Sequence, residues 1–311
     1  MKAVLVESYN GPEGLVCGDA PKPRPWESQV LVRVNAAGVT PDELYWPGTR
    51  RDTFGAARML PVIPGHELSG VVAETGPGVT GTAVGDEVYG LIAFTRDGAQ
   101  AEYTIALPSE LAPKPNSSNH VEAAAVPLGA LTAWQALFDH GGLSAGQSIL
   151  IHGGAGGVGT IAVQLAHWAG ARVVTTCSAT DMDFLRELGA DEAIDYAGTR
   201  FEEVVGEMDM VIDTVGGATM ERSLTVLKKQ GILVSVAGVP SREQAATRGV
   251  RANFFIVRPD RDQLCKITEL IDSGLLKPIV QKVFPLSEAC LAYEQGRDTH
   301  TRGRRVVLVA D

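Results

Sequence analysis

The segment SILIHGGAGGVGTIAVQLAHWAGA, residues 148–171, restricts the fold more than any other part of the chain. It opens as an apolar, β-branched run, passes through a glycine turn and continues with helical periodicity. The turn contains GxGxxG as Gly154, Gly156 and Gly159. Between a strand and a helix each of these glycines answers a steric need. Gly154 makes the tight turn, Gly156 lets backbone amides approach a pyrophosphate, and Gly159 packs the helix on its strand. Gly157 and Val158 then lie along the phosphates, to which the helix N-terminus adds partial positive charge. A glycine-rich turn without a ligand is the plainer alternative, and the flanking strand and helix favour a dinucleotide site.

The same alternation continues downstream. RVVTTCS leads into MDFLRELGA, MVIDTVGG into MERSLTVLKKQG, and ILVSVAG follows. Repeated strand, turn and helix predict βαβ units on a doubly wound parallel sheet, hence an α/β chain. Upstream of residue 120 the runs are short and strand-like, as in QVLVRVNAAGV and LSGVVAETG, separated by GPEG, GPGV and VGDE. That pattern predicts a compact, largely antiparallel β domain. Near the end come a helix candidate, RDQLCKITELIDSG, and a strand, RRVVLVA, which has no place in a parallel sheet and is expected to return to the β domain. The expected segments are 1–120, 121–262 and 263–311.

Charge narrows the partners. The net charge is -10 and no Lys/Arg run exceeds two residues, so phosphate backbones and anionic membrane surfaces would repel the chain. No nucleic-acid or membrane partner is expected. The N-terminal MKAVLVESYNG reads as a strand rather than a secretion signal, and no stretch approaches the roughly 20 apolar residues of a membrane span. Cys17, Cys177, Cys265 and Cys290 show no CxxC spacing, which speaks against a disulfide framework or zinc ribbon. A cytoplasmic protein is the expectation.

The choice between NAD and NADP falls about 20 residues beyond the loop, where an Asp or Glu would hold the ribose 2′-hydroxyl of NAD. That strand end reads Thr175, Thr176, Cys177, Ser178, Ala179, Thr180, without an acid. A carboxylate would repel a 2′-phosphate, whereas hydroxyls can donate hydrogen bonds to it, so Ser178 points to NADPH. Asp181, a residue or two past the usual position, pulls the other way.

Several stretches together carry a resemblance: AAGVTPDELYWPG (36–48), PGHELSGVV (64–72), VGDEVYG (84–90), AAAVPLGALTAWQAL (123–137), the glycine loop and its helix, LGADEAIDY (188–196) and the closing RGRRVVLV. In this order they resemble the medium-chain dehydrogenase/reductase superfamily over essentially the whole chain, and within it the zinc-free quinone oxidoreductases. The resemblance implies a GroES-like β domain built from both chain ends, a Rossmann domain between them and an active site where the two meet. It implies further that Thr132 lines the nicotinamide site, that Tyr196 lies near the adenosine phosphate, and that Arg304, Phe255 and Val257 belong to the cofactor side. Ala237, Gly238 and Val239 follow the ILVSVAG strand, where a parallel sheet presents its ligand crevice. Phe254 to Val257 read as an edge strand, which in this family pairs with its partner's to form a homodimer; ordinary core is the alternative.

PGHELSG, residues 64–70, raises the question of a metal, because imidazole and carboxylate both bind zinc. In the zinc-dependent members that the chain resembles, two cysteines complete the site. Here those positions are Thr40 and Leu128, and no cysteine occurs between Cys17 and Cys177. No metal is expected, and His66 and Glu67 are expected to be structural or pocket-lining. Without a Lewis acid, hydride is best delivered to an acceptor that spreads the charge itself, a quinone or α,β-unsaturated carbonyl. Tyr45 and Trp46 suit packing on a flat conjugated substrate, Tyr45 aligns with a tyrosine of the quinone reductases as a candidate proton or hydrogen-bond donor, with mere packing of a loop-tip aromatic as the alternative, and Thr40 is the second catalytic candidate. Two other readings stay open: a reductase of enoyl thioesters, and a non-catalytic NADPH-binding sensor.

Overall fold

A computed structural model describes residues 1–298 and 302–310. The chain divides into two compact units, one comprising Met1–Leu128, Arg258–Gly274 and the chain from Pro278 onward, the other Gly129–Val257 and Leu275–Lys277. The expected boundaries at 120 and 262 differ from these, and residues 299–301 and 311 of the expected last segment lie outside the described residues. The difference has a packing cause. Ala124 and Ala125, at the end of the helix His120–Ala124, pack with Ala36 and Val306 of the first unit. The helix Arg261–Asp272 is tied to the same unit by the Tyr89 hydroxyl, which donates to the Leu264 carbonyl at 2.8 Å.

The second unit is a six-stranded parallel sheet. Its spatial order is Glu192–Asp195, Arg172–Cys177, Ser148–His152, Met208–Asp213, Leu227–Ser235, Arg251–Phe254. In chain order that is 3-2-1-4-5-6, the doubly wound arrangement expected, with the winding reversing between Ser148–His152 and Met208–Asp213. Parallel strands covered on both faces need continuous apolar runs, and Ile149, Leu150, Ile151, Val173, Val174, Val211 and Ile212 are fully buried. Ligands bind such sheets beyond the carboxyl ends of the strands at the reversal.

Two elements here differ from expectation. LKKQ, expected to continue a helix, belongs to the strand Leu227–Ser235, because Gln230 takes a left-handed φ of 66° and the register slips between Met208 and Met210. The helix therefore covers only Gly217–Ser223. The edge strand lies at Arg251–Phe254, earlier than Phe254–Val257, since its pairing runs out at Ser235 opposite Phe254 and Pro259 follows closely.

In the first unit a seven-stranded sheet runs Val280–Pro285, Arg304–Leu308, Val30–Val39, Glu67–Thr75, Glu87–Leu91, Leu111–Pro113, with Tyr103–Ala106 also paired to Val30–Val39. The C-terminal strand returns to this sheet, antiparallel to Val30–Val39, with Arg305 opposite Val39 and Val306 opposite Gly38. The sheet is the GroES-like β domain, and its centre is the long apolar strand VLVRVNAAGV. Among the described residues no helix is long and apolar enough to cross a membrane.

Candidate active site

In the second unit the glycine turn sits at the winding reversal, but its glycines divide their work differently from the expectation. The left-handed conformation falls on Gly153, with φ 71°, rather than on Gly154. A Cβ at Gly154 would run into the Thr175 hydroxyl on the adjacent strand, and one at Gly159 into the Gly153 carbonyl, so both are packing glycines. Gly156 is different: the nearest atom to a Cβ there is the Gly153 carbonyl oxygen at 3.3 Å. Its open side suits a ligand's approach. Gly157 packs through its carbonyl against Gly129, a contact that a side chain at Gly129 would block. The helix Gly159–Trp168 begins after Val158 with no side-chain cap, which leaves amide donors of its first turn for an anion. These features fit a dinucleotide pyrophosphate.

Two neighbouring loops are braced beside it. The Thr214 hydroxyl donates to the His152 carbonyl at 2.8 Å. Asp213, fully buried, accepts the amides of Val215 and Gly216 at 3.1 and 2.9 Å and the Ser235 hydroxyl at 2.8 Å. Ser235 in turn accepts the amides of Ala237 and Gly238, both at 3.2 Å, while Val239 is exposed. Asp213 is a brace that sequence reading missed, although an acid closing the apolar run MVID was its visible signal.

Ser178 and Tyr196 come together at the ends of two paired strands, where the Tyr196 amide donates to the Cys177 carbonyl at 3.1 Å. Ser178 donates its hydroxyl proton to Asp181 at 2.5 Å and lies 2.9 Å from the Thr180 hydroxyl. That proton is therefore committed to a carboxylate. Thr132 is buried in the helix Pro127–Trp134. Phe255 packs on His140, with ring centroids 4.3 Å apart, and Val257 lies just beyond the edge strand. No described contact joins either of them to the glycine turn.

In the first unit the remaining candidates gather around a buried charge cluster. Thr40 follows directly on the central strand Val30–Val39, and two short turns, Pro41–Tyr45 and Pro47–Arg50, present Tyr45 and Trp46. Tyr45 is 40% exposed. Phe94 lies edge-on to both Trp46 and His66, at 5.3 and 5.2 Å. His66 is buried with Nε2 3.2 Å from the Arg96 carbonyl and Nδ1 3.4 Å from the Glu43 carboxylate. Glu43 also accepts the Gly65 amide.

Glu67 is occupied as well. One oxygen pairs with the Arg304 guanidinium and the other accepts the Leu128 amide at 3.0 Å. Gly38 makes this possible, because a Cβ there would land on the Glu67 carboxylate. Arg304 donates to the Thr40 hydroxyl at 2.7 Å. Burial brings the Arg304 pKa down to about 10, with the Glu43 carboxylate acting against that fall, so the guanidinium stays charged at neutral pH. Arg304, expected near the cofactor, is held by Glu67 and Thr40.

These donors do not fit a catalytic zinc, which needs three protein ligands and an open position. Both Glu67 oxygens are taken up by Arg304 and the Leu128 amide, His66 Nε2 lies against the Arg96 carbonyl, and Thr40 and Leu128 supply no soft ligand beside the remaining imidazole nitrogen. Among the described residues no group of three or more His, Cys, Asp or Glu could hold a metal ion.

A doubly wound nucleotide-type sheet and a GroES-like sheet on one chain define an oxidoreductase of the medium-chain type. Residues 27–116 match the alcohol dehydrogenase GroES-like domain and residues 188–307 the zinc-binding dehydrogenase family. A probable zinc-binding oxidoreductase, mitochondrial, of Arthroderma benhamiae is 35% identical, covering 93% of this chain and 91% of its own. An NADPH-dependent alkenal/one oxidoreductase, chloroplastic, of Arabidopsis thaliana is 34% identical over 99% of this chain and 79% of its own. The solved quinone oxidoreductase of Coxiella burnetii superposes with a TM-score of 0.89 at 33% identity, covering 99% of each chain. The chain belongs to the medium-chain dehydrogenase/reductase superfamily, in its quinone-oxidoreductase-like branch.

Proposed function

We propose that the chain is a zinc-independent reductase that uses NADPH to reduce quinones or α,β-unsaturated carbonyls. The observation that carries this reading is Arg304, whose guanidinium takes up the Glu67 carboxylate and so removes it from the donors a metal could use. Charge developing on a substrate oxygen must then be met by hydrogen bonds, which suffices when conjugation spreads it over an enolate or phenolate. The bound dinucleotide supplies the hydride. The turn from Gly153 to Val158 would hold its pyrophosphate, Trp46 offers an aromatic face to a flat acceptor, and Thr40 and Tyr45 offer hydroxyl donors. NADPH is supported by the name of the Arabidopsis relative. Its advantage over NADH is small in this reading, because Ser178 gives its one proton to Asp181 and can only accept from a ribose hydroxyl.

The cytoplasm is the proposed compartment, on four free cysteines without disulfide spacing, and the edge strand Arg251–Phe254 the proposed pairing surface of a homodimer, which native mass spectrometry checks. The activity is tested by turnover of NADPH and NADH against enones, quinones, enoyl thioesters and saturated ketones. Enones or quinones should lead, and Tyr45→Phe should lower their kcat roughly tenfold if its hydroxyl serves the oxyanion. Faster turnover of saturated ketones or of thioesters would sink the assignment.

A further inference from the structure

We propose that Arg304 is a positioning residue that makes the Thr40 hydroxyl the hydrogen-bond donor for negative charge developing on the acceptor oxygen. The inference rests on the reductase reading above and names the residues that take over a metal's electrostatic role.

The backbone sets the pair up. Arg305 faces Val39 across the antiparallel ladder, which brings Arg304 level with Thr40 at the strand end. Arg304 donates through Nη2 to Thr40 Oγ1 at 2.7 Å, and both side chains are nine-tenths buried or close to it. A threonine hydroxyl has one proton and two acceptor lone pairs, and a guanidinium can only donate. The Thr40 proton therefore cannot point at Arg304, and none of the described residues accepts it. A hydroxyl that accepts from a cation in a dry site is polarised into a stronger donor.

Glu67 keeps the guanidinium in place by pairing with the same nitrogen, Nη2. It is itself anchored by the Leu128 amide at 3.0 Å, in space left by Gly38. No covalent bond changes at Thr40: its proton stays on Oγ1, and solvent supplies the one proton that completes the reduction, to the α-carbon of an enone or to an oxygen of a quinone. An ion pair of purely structural purpose would be indifferent to whether residue 40 carries a hydroxyl.

The test compares native protein with Thr40→Ser, Thr40→Val and the doubly neutral Arg304→Gln/Glu67→Gln variant, which leaves no lone buried charge. With the best enone or quinone, Thr40→Val and the double variant should each lose about tenfold to a hundredfold in kcat, with KM and dinucleotide Kd within about twofold. Their losses should not add when combined, and Thr40→Ser should keep kcat within about threefold. A second readout needs no turnover. Bound 4-nitrophenol, an oxyanion probe with a visible phenolate, should ionise about one pH unit lower on native protein than in water, and Thr40→Val and the double variant should abolish that shift. A double variant with native melting temperature, native kcat and a native probe shift overturns the proposal, as does a native protein that shifts the probe not at all. A native protein that turns over no enone or quinone sinks the reductase reading alone, and the probe titration still decides the role of Thr40.

Discussion

The glycine turn of the second unit and the Thr40–Glu67–Arg304 cluster of the first are both arranged around charge, by opposite means. The turn offers backbone amides that an uncapped helix leaves over, so nothing ionised is buried when no ligand is bound. The cluster holds a buried carboxylate against a buried guanidinium, and each member is tolerable only while the other is present. A backbone site fails when a side chain intrudes. A side-chain site fails when a partner is removed.

The contrast is broken most forcefully at Glu67. Glu67→Ala leaves Arg304 buried without its counter-charge and should lower unfolding free energy by about 3–5 kcal/mol, while Arg304→Gln/Glu67→Gln recovers most of it. Urea denaturation of the two variants checks this, and a single variant within about 1 kcal/mol of native would show that the cluster is not one electrostatic unit.

The second effect comes from the floor of the glycine turn. His152 is fully buried between the Thr176 hydroxyl at 2.9 Å and the Ser223 hydroxyl at 2.8 Å, and burial pushes its pKa down from 6.5 to about 4. The folded state therefore holds the imidazole neutral while the unfolded chain protonates it below pH 6.5. Stability attached to this group is complete above pH 6.5 and falls as the pH drops towards 4, by about 3 kcal/mol at the low end. Denaturation at pH 7, 6 and 5 should show the decline in native protein and a shallower one in His152→Gln.

Within the turn, Gly159→Ala drives a methyl into the Gly153 carbonyl and should cost about 1–3 kcal/mol of stability. Gly156→Ala meets only a contact at 3.3 Å, so stability should change by less than about 0.5 kcal/mol while dinucleotide Kd rises about tenfold. Equal stability losses in the two variants would erase the distinction between packing and ligand-facing glycines.

The smallest expected change concerns cofactor choice. Asp181→Asn removes the carboxylate that takes the Ser178 proton, so the ratio of NADH Kd to NADPH Kd should rise about threefold to tenfold. Titration calorimetry with both dinucleotides measures it, and an unchanged ratio would show that Asp181 does not reach the 2′ position.

The two regions also differ in how well they can be read from sequence. The turn is contiguous, ten residues whose spacing and flanking periodicity announce strand, turn and helix, and the parallel sheet follows from the same alternation. What spacing could not reveal was local: the positive φ belongs to Gly153, and a left-handed Gln230 draws LKKQ into a strand. The cluster is assembled from residues 40, 67 and 304, and a pairing across 264 positions leaves no trace in any window. Sequence could show that Thr40 and Leu128 replace cysteines. It could not show what takes up the Glu67 carboxylate, because only the antiparallel register between Arg304–Leu308 and Val30–Val39 determines that.

In the proposed reading conjugated acceptors are reduced without zinc, with the Glu67 carboxylate taken up by Arg304. That reading is tested most directly by elemental analysis of the purified protein together with its NADPH-dependent turnover of an enone before and after prolonged treatment with a chelator. Far less than one zinc per chain and unchanged turnover are expected. About one zinc per chain, with activity lost on chelation and restored by zinc, would contradict it.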